Sequence, residues 1–278
     1  NGQRVVLIDH ATKLAEKIRI SGGGRCNFTN VNAAPQNFLS QNPHFCKSAL
    51  SRYTAQDFLA LVKKHRIAYH EKHKGQLFCD DSSEQIIGML RAECELGGVQ
   101  WWMPCKVAGV RKSDTGFTVE TDQGELQVAN VVVATGGLSI PKIGATDLGY
   151  RIASGFDLKI IETRPGLVPL TFDGPSWQPF VPLAGIALEV EVSTGSGKGK
   201  GARGGSQTNG HFREDLLFTH RGLSGPAILQ ISSYWQPGTP IVLNLLPEMD
   251  VAETLIGLKK TEKKQLGNVL AQWLPARL

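Results

Sequence analysis

The sequence Ser21-Gly22-Gly23-Gly24-Arg25-Cys26-Asn27 follows, after one short connection, an apolar segment that ends in an acid, Arg4-Val5-Val6-Leu7-Ile8-Asp9. An apolar strand closing on a carboxylate is typical of the second strand of a dinucleotide-binding βαβ unit, where the acid accepts hydrogen bonds from ribose hydroxyls. Three consecutive glycines leave a turn without side chains, so backbone N–H groups and Arg25 can approach a phosphate or a flavin ring. The pattern predicts cofactor contact by Asp9 and by the glycine turn.

The usual glycine fingerprint of such a unit, G-x-G-x-x-G, lies on the turn after the first strand, and the acid follows about twenty residues later. Asn1 stands too close to Asp9 for that spacing. We therefore expect the first strand, its turn and most of the first helix to lie outside these residues. The alternative is that Asp9 binds no ribose.

Composition sets the broad class of the protein. A chain of 278 residues with 41% apolar residues can form one large or two ordinary domains. No apolar run approaches the roughly 18 residues of a membrane span, and no signal segment opens the chain, so we expect a soluble cytoplasmic protein without membrane contact. Five cysteines without a C-x-x-C pair indicate reduced thiols and no metal site.

The net charge of +5 is partly concentrated in Gly197-Lys198-Gly199-Lys200-Gly201-Ala202-Arg203. This stretch has no interleaved aromatic residues, whereas nucleic-acid binding is usually marked by a wider basic face or by stacking aromatics. We expect a solvated loop here and a small-molecule substrate, not a nucleic acid.

Hydrophobic periodicity predicts the elements of the first half of the chain. The polar stretch 27–42 reads as a loop, and helices are expected after Thr54 and after Ser82 or Ser83. Alternating segments predict strands at 67–71, 75–79, 99–103, 105–110, 116–121 and 124–128. The unbroken apolar run 129–137 predicts a parallel strand that is buried on both faces and ends on a ligand-contacting turn.

The second half has a different pattern. Alternating strands at 186–192, 215–219 and 240–245 are separated by long polar or glycine-rich loops, which predicts an inserted β-barrel or sandwich. Helical patterning returns from Ala252 to the end.

Three motifs resemble those of a known family. They are Ile20 to Asn30 around the glycine turn, Val133-Ala134-Thr135-Gly136-Gly137-Leu138-Ser139 with Pro141, and Leu217-Phe218-Thr219-His220-Arg221-Gly222-Leu223-Ser224-Gly225-Pro226. In this order they are similar to those of the bacterial FAD-binding flavoproteins of the aminoacetone oxidase, or BaiN-type, family. The family's N-terminal glycine fingerprint and C-terminal segment are not seen here, and Ala15-Glu16 replaces an expected Gly-Arg.

The resemblance implies an α/β fold with a Rossmann-like FAD-binding domain (1–166), an inserted β-barrel-like domain (167–250) and the start of a small helical subdomain (251–278). It also implies that Asp9 binds the adenosine ribose and that the backbone of Val107 meets the adenine. The residues implied along the flavin side are Ser21, Gly22, Gly23, Gly24, Arg25, Cys26 and Asn27. Those implied near the diphosphate and ribityl chain are Thr135, Gly136 and Gly137.

The function that the resemblance implies is an FAD-dependent oxidoreductase that transfers hydride between the flavin and a small organic substrate, with NAD(P)H as a candidate reductant. Catalytic residues are not identified. Two alternatives are an RNA-binding or tRNA-modification-related protein of flavoprotein ancestry and an inactive fragment.

Four side chains are further candidates for a role in the site. Arg25 either stabilises charge near the ring or diphosphate, or pairs with a carboxylate for structural reasons. Cys26 is a redox candidate, although no cysteine partner lies two or three residues away. His220 and Arg221 either face a substrate cleft or belong to a loop packed for structural reasons.

Overall fold

The computed structural model of the chain describes residues 2–195 and 210–278. The basic stretch Gly197 to Arg203 lies outside the described residues, so its predicted loop conformation stays a prediction. The chain divides into two compact units, Asn1–Phe38 with Asn42–Glu162 and Leu39–Gln41 with Thr163–Leu278. The predicted three-part division likewise stays a prediction.

The first unit combines short strands with helices. Its described strands are β1 (Val6–Ile8), β2 (Asn27–Asn30), β3 (Tyr69–Glu71), β4 (Gln76–Cys79), β5 (Gln100–Trp102), β6 (Val107–Ser113), β7 (Gly116–Thr121) and β8 (Gly124–Val128). Its described α-helices are α1 (Glu16–Ile20), α2 (Lys47–Arg52), α3 (Ala55–Lys64), α4 (Glu84–Leu96) and α5 (Leu148–Gly155).

Three small sheets organise these strands. β1 and β5 form a parallel pair, the β2-β4-β3 sheet is antiparallel, and β6, β7 and β8 form an antiparallel meander. The strands that alternation predicts at 67–71 and 75–79, and those at 105–110 and 116–121, therefore pair as the β3–β4 and β6–β7 hairpins. The predicted loop at 27–42 is wrong at its start, where β2 pairs with β4 through backbone hydrogen bonds that its polar composition did not indicate.

Helix α3 shows how local sequence signals produce an element. The Thr54 side chain accepts a hydrogen bond from the Asp57 N–H, and the Asp57 carboxylate accepts one from the Thr54 N–H at 2.7 Å. The Thr54 hydroxyl also donates to the Asp57 carboxylate at 2.6 Å, and the two hydrogen bonds from Thr54 to this carboxylate hold the pKa of Asp57 below its ordinary value. The buried side chains Leu59 and Val62 then attach the helix to the core, as the apolar spacing predicts.

The predicted parallel strand at 129–137 is wrong. This stretch has no regular secondary structure, and Val132 is 87% exposed. A strand buried on both faces needs hydrogen-bonded neighbours and a covering layer on each side. Among the described residues, the parallel pairing is between β1 and β5, and no strand pairs with 129–137.

The second unit is built on one antiparallel sheet. Its described strands are β9 (Leu170–Thr171), β10 (Ala187–Thr194), β11 (Gly210–Thr219), β12 (Gly222–Ser224) and β13 (Ile241–Asn244). Its described α-helices are α6 (Gly174–Trp177), α7 (Pro226–Ser232), α8 (Val251–Leu258) and α9 (Leu266–Leu270).

The strand order of this sheet is β13-β10-β11-β12-β9. Helix α7 contributes the buried residues Ala227, Ile228 and Ile231 to the core, which they share with Val190 and Leu216 of the sheet. The predicted barrel is wrong in its closure, because β13 and β9 are edge strands that do not pair with each other in the described residues. The sheet is an open half-barrel.

Among the described residues, no helix is both long and apolar enough to cross a bilayer.

Candidate cofactor site

The glycine turn has a left-handed backbone. Gly22, Gly23 and Gly24 have φ angles of 60°, 68° and 87°, a region that costs L-residues roughly 1–2 kcal/mol each. A Cβ added at Gly22 would lie 2.7 Å from Cε1 of Phe78, whereas a Cβ at Gly23 or Gly24 would meet nothing within 4 Å. Gly22 is therefore required for packing, while Gly23 and Gly24 present bare backbone to open space.

Hydrogen bonds hold the turn in place. The Ser83 N–H donates to the Gly24 carbonyl at 2.8 Å, and the buried Ser83 hydroxyl donates to the Arg19 carbonyl at 2.9 Å. The Cys79 N–H donates to the Arg25 carbonyl at 2.9 Å. The turn is thus anchored to the end of β4 and the start of α4, and sequence reasoning identified Ser83 only as a helix cap.

Two buried thiols lie behind the turn. Cys26 and Cys79 are 4% and 0% exposed and belong to one apolar cluster. Burial raises the pKa of the Cys26 thiol. Burial is also the main cause that raises the pKa of Cys79 to about 11, and the nearby Cys26 is the second cause. Both thiols are therefore protonated at neutral pH, which disfavours the redox role considered for Cys26, because the thiolate is the reactive form.

Alkylation tests this assignment. We expect iodoacetamide at neutral pH to modify the half-exposed Cys46 and Cys94 first, because the buried Cys26, Cys79 and Cys105 are shielded. The measurement is peptide mass spectrometry over a time course, with a urea-unfolded sample as the control in which all five thiols react alike. Early modification of Cys26 would restore it as a reactive thiol.

Asp9 directly follows β1, as predicted. Its N–H donates to the Trp102 carbonyl at 3.2 Å, and its carbonyl accepts from the Cys105 N–H at 2.8 Å. The Ala11 N–H donates to Oδ1 of the Asp9 carboxylate at 2.9 Å, which orients this half-exposed side chain. Because Val107 lies two residues beyond Cys105, the two residues predicted for the adenosine end of the cofactor lie near each other.

The loop that carries Thr135, Gly136 and Gly137 contacts the helix preceding the glycine turn. Nζ of Lys17 donates a hydrogen bond to Oγ of Ser139 at 2.6 Å. Gly136 has a φ of 71°, and a Cβ added there would meet nothing within 4 Å. The two glycine bends, far apart in the chain, are therefore joined by side chains that flank them.

The same loop reaches the acid end of β1. A Cβ added at Gly144 would lie 3.0 Å from Nε2 of His10, the residue after Asp9. The segment from Ser139 to Gly144 therefore contacts Lys17 at its first residue and lies beside His10 at its last. The sequence patterns did not identify Lys17 or His10 as site residues. Their positions close to the glycine turn and to Asp9 were the one signal that could have found them.

Arg25 and a neighbouring cavity add chemical character to the turn. Arg25 is exposed, and within residues 2–195 and 210–278 it makes no ion pair, which argues against the structural-arginine interpretation. A cavity of about 350 Å³ adjoins the turn, within the size range of small-ligand pockets. It is lined by Lys17, Ile18, Ser21, Cys26, Asn27, Phe28, Phe58, Ile86 and Leu90.

His220 and Arg221 lie at the turn between β11 and β12 in the second unit. The Thr219 hydroxyl donates to the Gly222 carbonyl at 2.8 Å, and Nε1 of Trp177 donates to the Thr219 carbonyl at 3.0 Å. A Cβ at Gly222 would lie 2.1 Å from the Leu170 carbonyl oxygen. These contacts favour the structural interpretation of this motif.

Two histidines of the first unit lie against carboxylates. Nε2 of His65 lies 2.6 Å from Glu93, and Nδ1 of His70 lies 2.7 Å from Asp80. No group of three or more potential ligands occurs in the part of the chain that the structure describes.

Comparison with known proteins identifies related sequences. The family model described as "HI0933-like protein Rossmann domain" matches residues 1–262. The chain is 50% identical over 278 residues to the ribosomal RNA dihydrouridine synthase of Escherichia coli and 43% identical over 282 residues to that of Haemophilus influenzae. It covers 66% and 67% of their lengths, and all of this chain is matched. A 3-dehydro-bile acid delta(4,6)-reductase of Clostridium scindens is 23% identical over 262 residues, covering 90% of this chain and 60% of that protein.

These findings confirm three predictions and correct one. The Rossmann-like α/β class, the flavoprotein-type resemblance and the prediction of an enzyme agree with the family and with the enzyme names of the relatives. The expectation that nucleic acid is not a partner is wrong, because two relatives that match the whole chain are named for ribosomal RNA.

Proposed function

Because the chain belongs to the family of the HI0933-like protein Rossmann domain, we propose that the protein is an FAD-dependent enzyme that reduces a uracil base of ribosomal RNA. The observation that carries this proposal is the 50% identity over all 278 residues to a ribosomal RNA dihydrouridine synthase. The sequence-based alternative, a flavoprotein relative that acts on RNA, is thereby favoured over a small organic substrate.

The names of the relatives point to one type of reaction. Dihydrouridine differs from uridine by two hydrogens across the C5–C6 bond, which is conjugated to a carbonyl, and a delta(4,6)-reductase also acts on carbon–carbon double bonds. Such a reduction adds a hydride to the carbon β to the carbonyl and a proton to the α carbon. Bound FAD in its reduced form would supply the hydride, and NAD(P)H stays the proposed donor that reduces the flavin again.

The residues of the first unit fit this cofactor. The open, left-handed backbone at Gly23, Gly24 and Gly136 lets a phosphate or ring approach more closely than any side chain would permit. We assign the Asp9 carboxylate to the ribose hydroxyls, since Oδ1 is already oriented by the Ala11 N–H. The backbone of Val107 is assigned to the adenine.

The flavin side of the site would be formed by Ser21 to Asn27 and by the loop Thr135 to Gly137. Lys17 holds that loop through Ser139 and therefore positions one bend relative to the other. Arg25 is the exposed cation of the turn, and we assign it to negative charge on the diphosphate or on the reduced ring.

The experiment that tests the function uses ribosomal RNA lacking dihydrouridine. The purified protein, supplied with FAD and NADPH or NADH, is expected to show flavin absorbance and to convert uridine to dihydrouridine, measured by nucleoside mass spectrometry. A control without FAD should give no product. Flavin binding and turnover with a steroid enone, without any product from RNA, would reject the RNA substrate and support the small-molecule alternative.

A further inference from the structure

The β2-β4-β3 sheet has two faces of different character. Residues alternate between the faces along a strand, and the register pairs Tyr69 with Cys79 and His70 with Phe78. Tyr69 and Cys79 belong to the apolar cluster beneath the sheet. His70 and Phe78, together with Asn27, which pairs with Phe78, form a cross-strand row on the opposite face. We call these three residues the outer row.

The outer row carries a stacked pair of rings. The centroids of His70 and Phe78 are 6.2 Å apart at an interplanar angle of 16°. Nδ1 of His70 lies 2.7 Å from Oδ1 of Asp80, and this contact holds the imidazole in its orientation. The His70 side chain is nevertheless 44% exposed. The row therefore ends in an accessible planar ring whose position is already set.

Positive charge accompanies the rings. Nζ of Lys72 lies 5.4 Å from the Phe78 ring centroid, and Lys72 stands two residues after His70, on the same face. The turn that follows, His73–Gly75, adds His73 and Lys74. Lys72 is exposed, so its ammonium group can contact a phosphate while it lies near the Phe78 ring.

The outer row is continuous with the proposed flavin site. The Phe78 ring packs directly against Gly22, where an added Cβ would lie 2.7 Å from Cε1. Asn27 is itself the last residue of the glycine turn segment assigned to the flavin. A ligand that reaches the flavin from this side would pass over the outer row.

We propose that the outer row binds an unpaired nucleotide beside the target uridine, with its base stacked on the His70–Phe78 pair and its phosphate near Lys72. This inference rests on the proposed function. An enzyme that reduces ring atoms of a base acts on a single strand or takes that base out of its stack. On a single strand the neighbouring nucleotide is also unpaired, so its base is available to stack on a protein surface. An antiparallel sheet that presents ring side chains and a cation is suited to single-stranded RNA.

The test measures binding of a fluorescein-labelled, uridine-rich single-stranded RNA by fluorescence anisotropy. His70→Ala is expected to weaken binding by roughly 5- to 100-fold, as loss of one stacked base predicts. His70→Phe, which retains the planar ring, should restore it. Lys72→Ala should lower the slope of log K against log salt by about one. The matched control is Lys112→Ala, which removes an exposed lysine from β6 in the same unit.

The outcomes separate the inference from the function on which it rests. If His70→Ala and Lys72→Ala bind RNA as tightly as the wild-type protein does, or if duplex RNA binds as well as single strands, the outer row is not the nucleotide surface. Retained dihydrouridine formation in those variants would show that the function survives without it. If binding falls as expected but no form of the protein produces dihydrouridine, the outer row stands as an RNA surface and the proposed reaction is rejected. Circular dichroism confirms that the variants are folded.

Discussion

Gly23→Ala is expected to lower the affinity for FAD by at least about tenfold, which corresponds to roughly 1.4 kcal/mol. Its φ of +68° lies in the left-handed region, and the added Cβ would meet no atom of the chain within 4 Å. The methyl group would therefore occupy the space that the proposed cofactor needs, while stability falls only by the backbone strain, roughly 1–2 kcal/mol. Flavin titration measures the first effect, and urea denaturation measures the second.

Gly22→Ala is the matched control for this prediction. Its φ of +60° is similar, but its added Cβ would lie 2.7 Å from Cε1 of Phe78 and 2.9 Å from the backbone nitrogen of Asn27. We expect a clearly larger loss of stability than in Gly23→Ala, because a backbone atom cannot move aside as a flexible side chain can. Normal flavin affinity in Gly23→Ala would contradict the assignment of this turn to the cofactor.

Gly225→Ala is expected to destabilise the second unit by roughly 2–5 kcal/mol, the sum of left-handed strain and overpacking. Gly225 has a φ of +87°, and its added Cβ would lie 2.6 Å from the Asp215 carbonyl oxygen and 2.8 Å from the Leu217 nitrogen. All of these contacts are with the backbone of β11, so relief would require the central strand of the sheet to shift. The measurement is the free energy of unfolding in urea, followed by circular dichroism.

Gly238→Ala separates the two causes. Gly238 has a φ of +85°, almost the same as Gly225, but an added Cβ would meet nothing within 4 Å. We expect it to lose only the strain energy, roughly 1–2 kcal/mol. Equal losses in the two variants would show that backbone strain alone explains the requirement for Gly225.

The third sequence motif, Leu217 to Pro226, contains two glycines that the surrounding backbone requires. Gly222 and Gly225 are each confined by backbone atoms, and Pro226 begins α7. The density of glycine and proline in that motif is thus accounted for by the close approach of β9, β11 and β12. The glycine and proline residues of this motif therefore specify a backbone path between β11, β12 and α7.

Local signals were sufficient for several elements. The capping residues Thr54 and Asp57 predict the start of α3, and alternation predicts the β3–β4 hairpin and the β6-β7-β8 meander, because each pairing is between neighbours in the chain. The same reasoning was wrong at 129–137, where an apolar run predicts a buried strand. Burial depends on partners elsewhere in the chain, and composition does not specify them.

Some parts of the candidate site can be predicted from local sequence and others cannot. Asp9 at the end of an apolar strand and three consecutive glycines were visible as local patterns whose chemistry follows from residue type. The hydrogen bond between Lys17 and Ser139 joins residues 122 positions apart, and the contact of Phe78 with Gly22 joins two elements that no motif connects. Neither leaves a periodic signal in the chain.

The amino-acid order alone therefore determined where bare backbone and a carboxylate at the end of an apolar strand occur, because φ freedom and charge belong to individual residues. Folding decided which of these groups lie together, which face of the β2-β4-β3 sheet is exposed, and that the second sheet stays open. Those properties depend on which surfaces, distant in the chain, pack together and exclude water. The free energy of that packing is shared among several segments, so no single segment determines it.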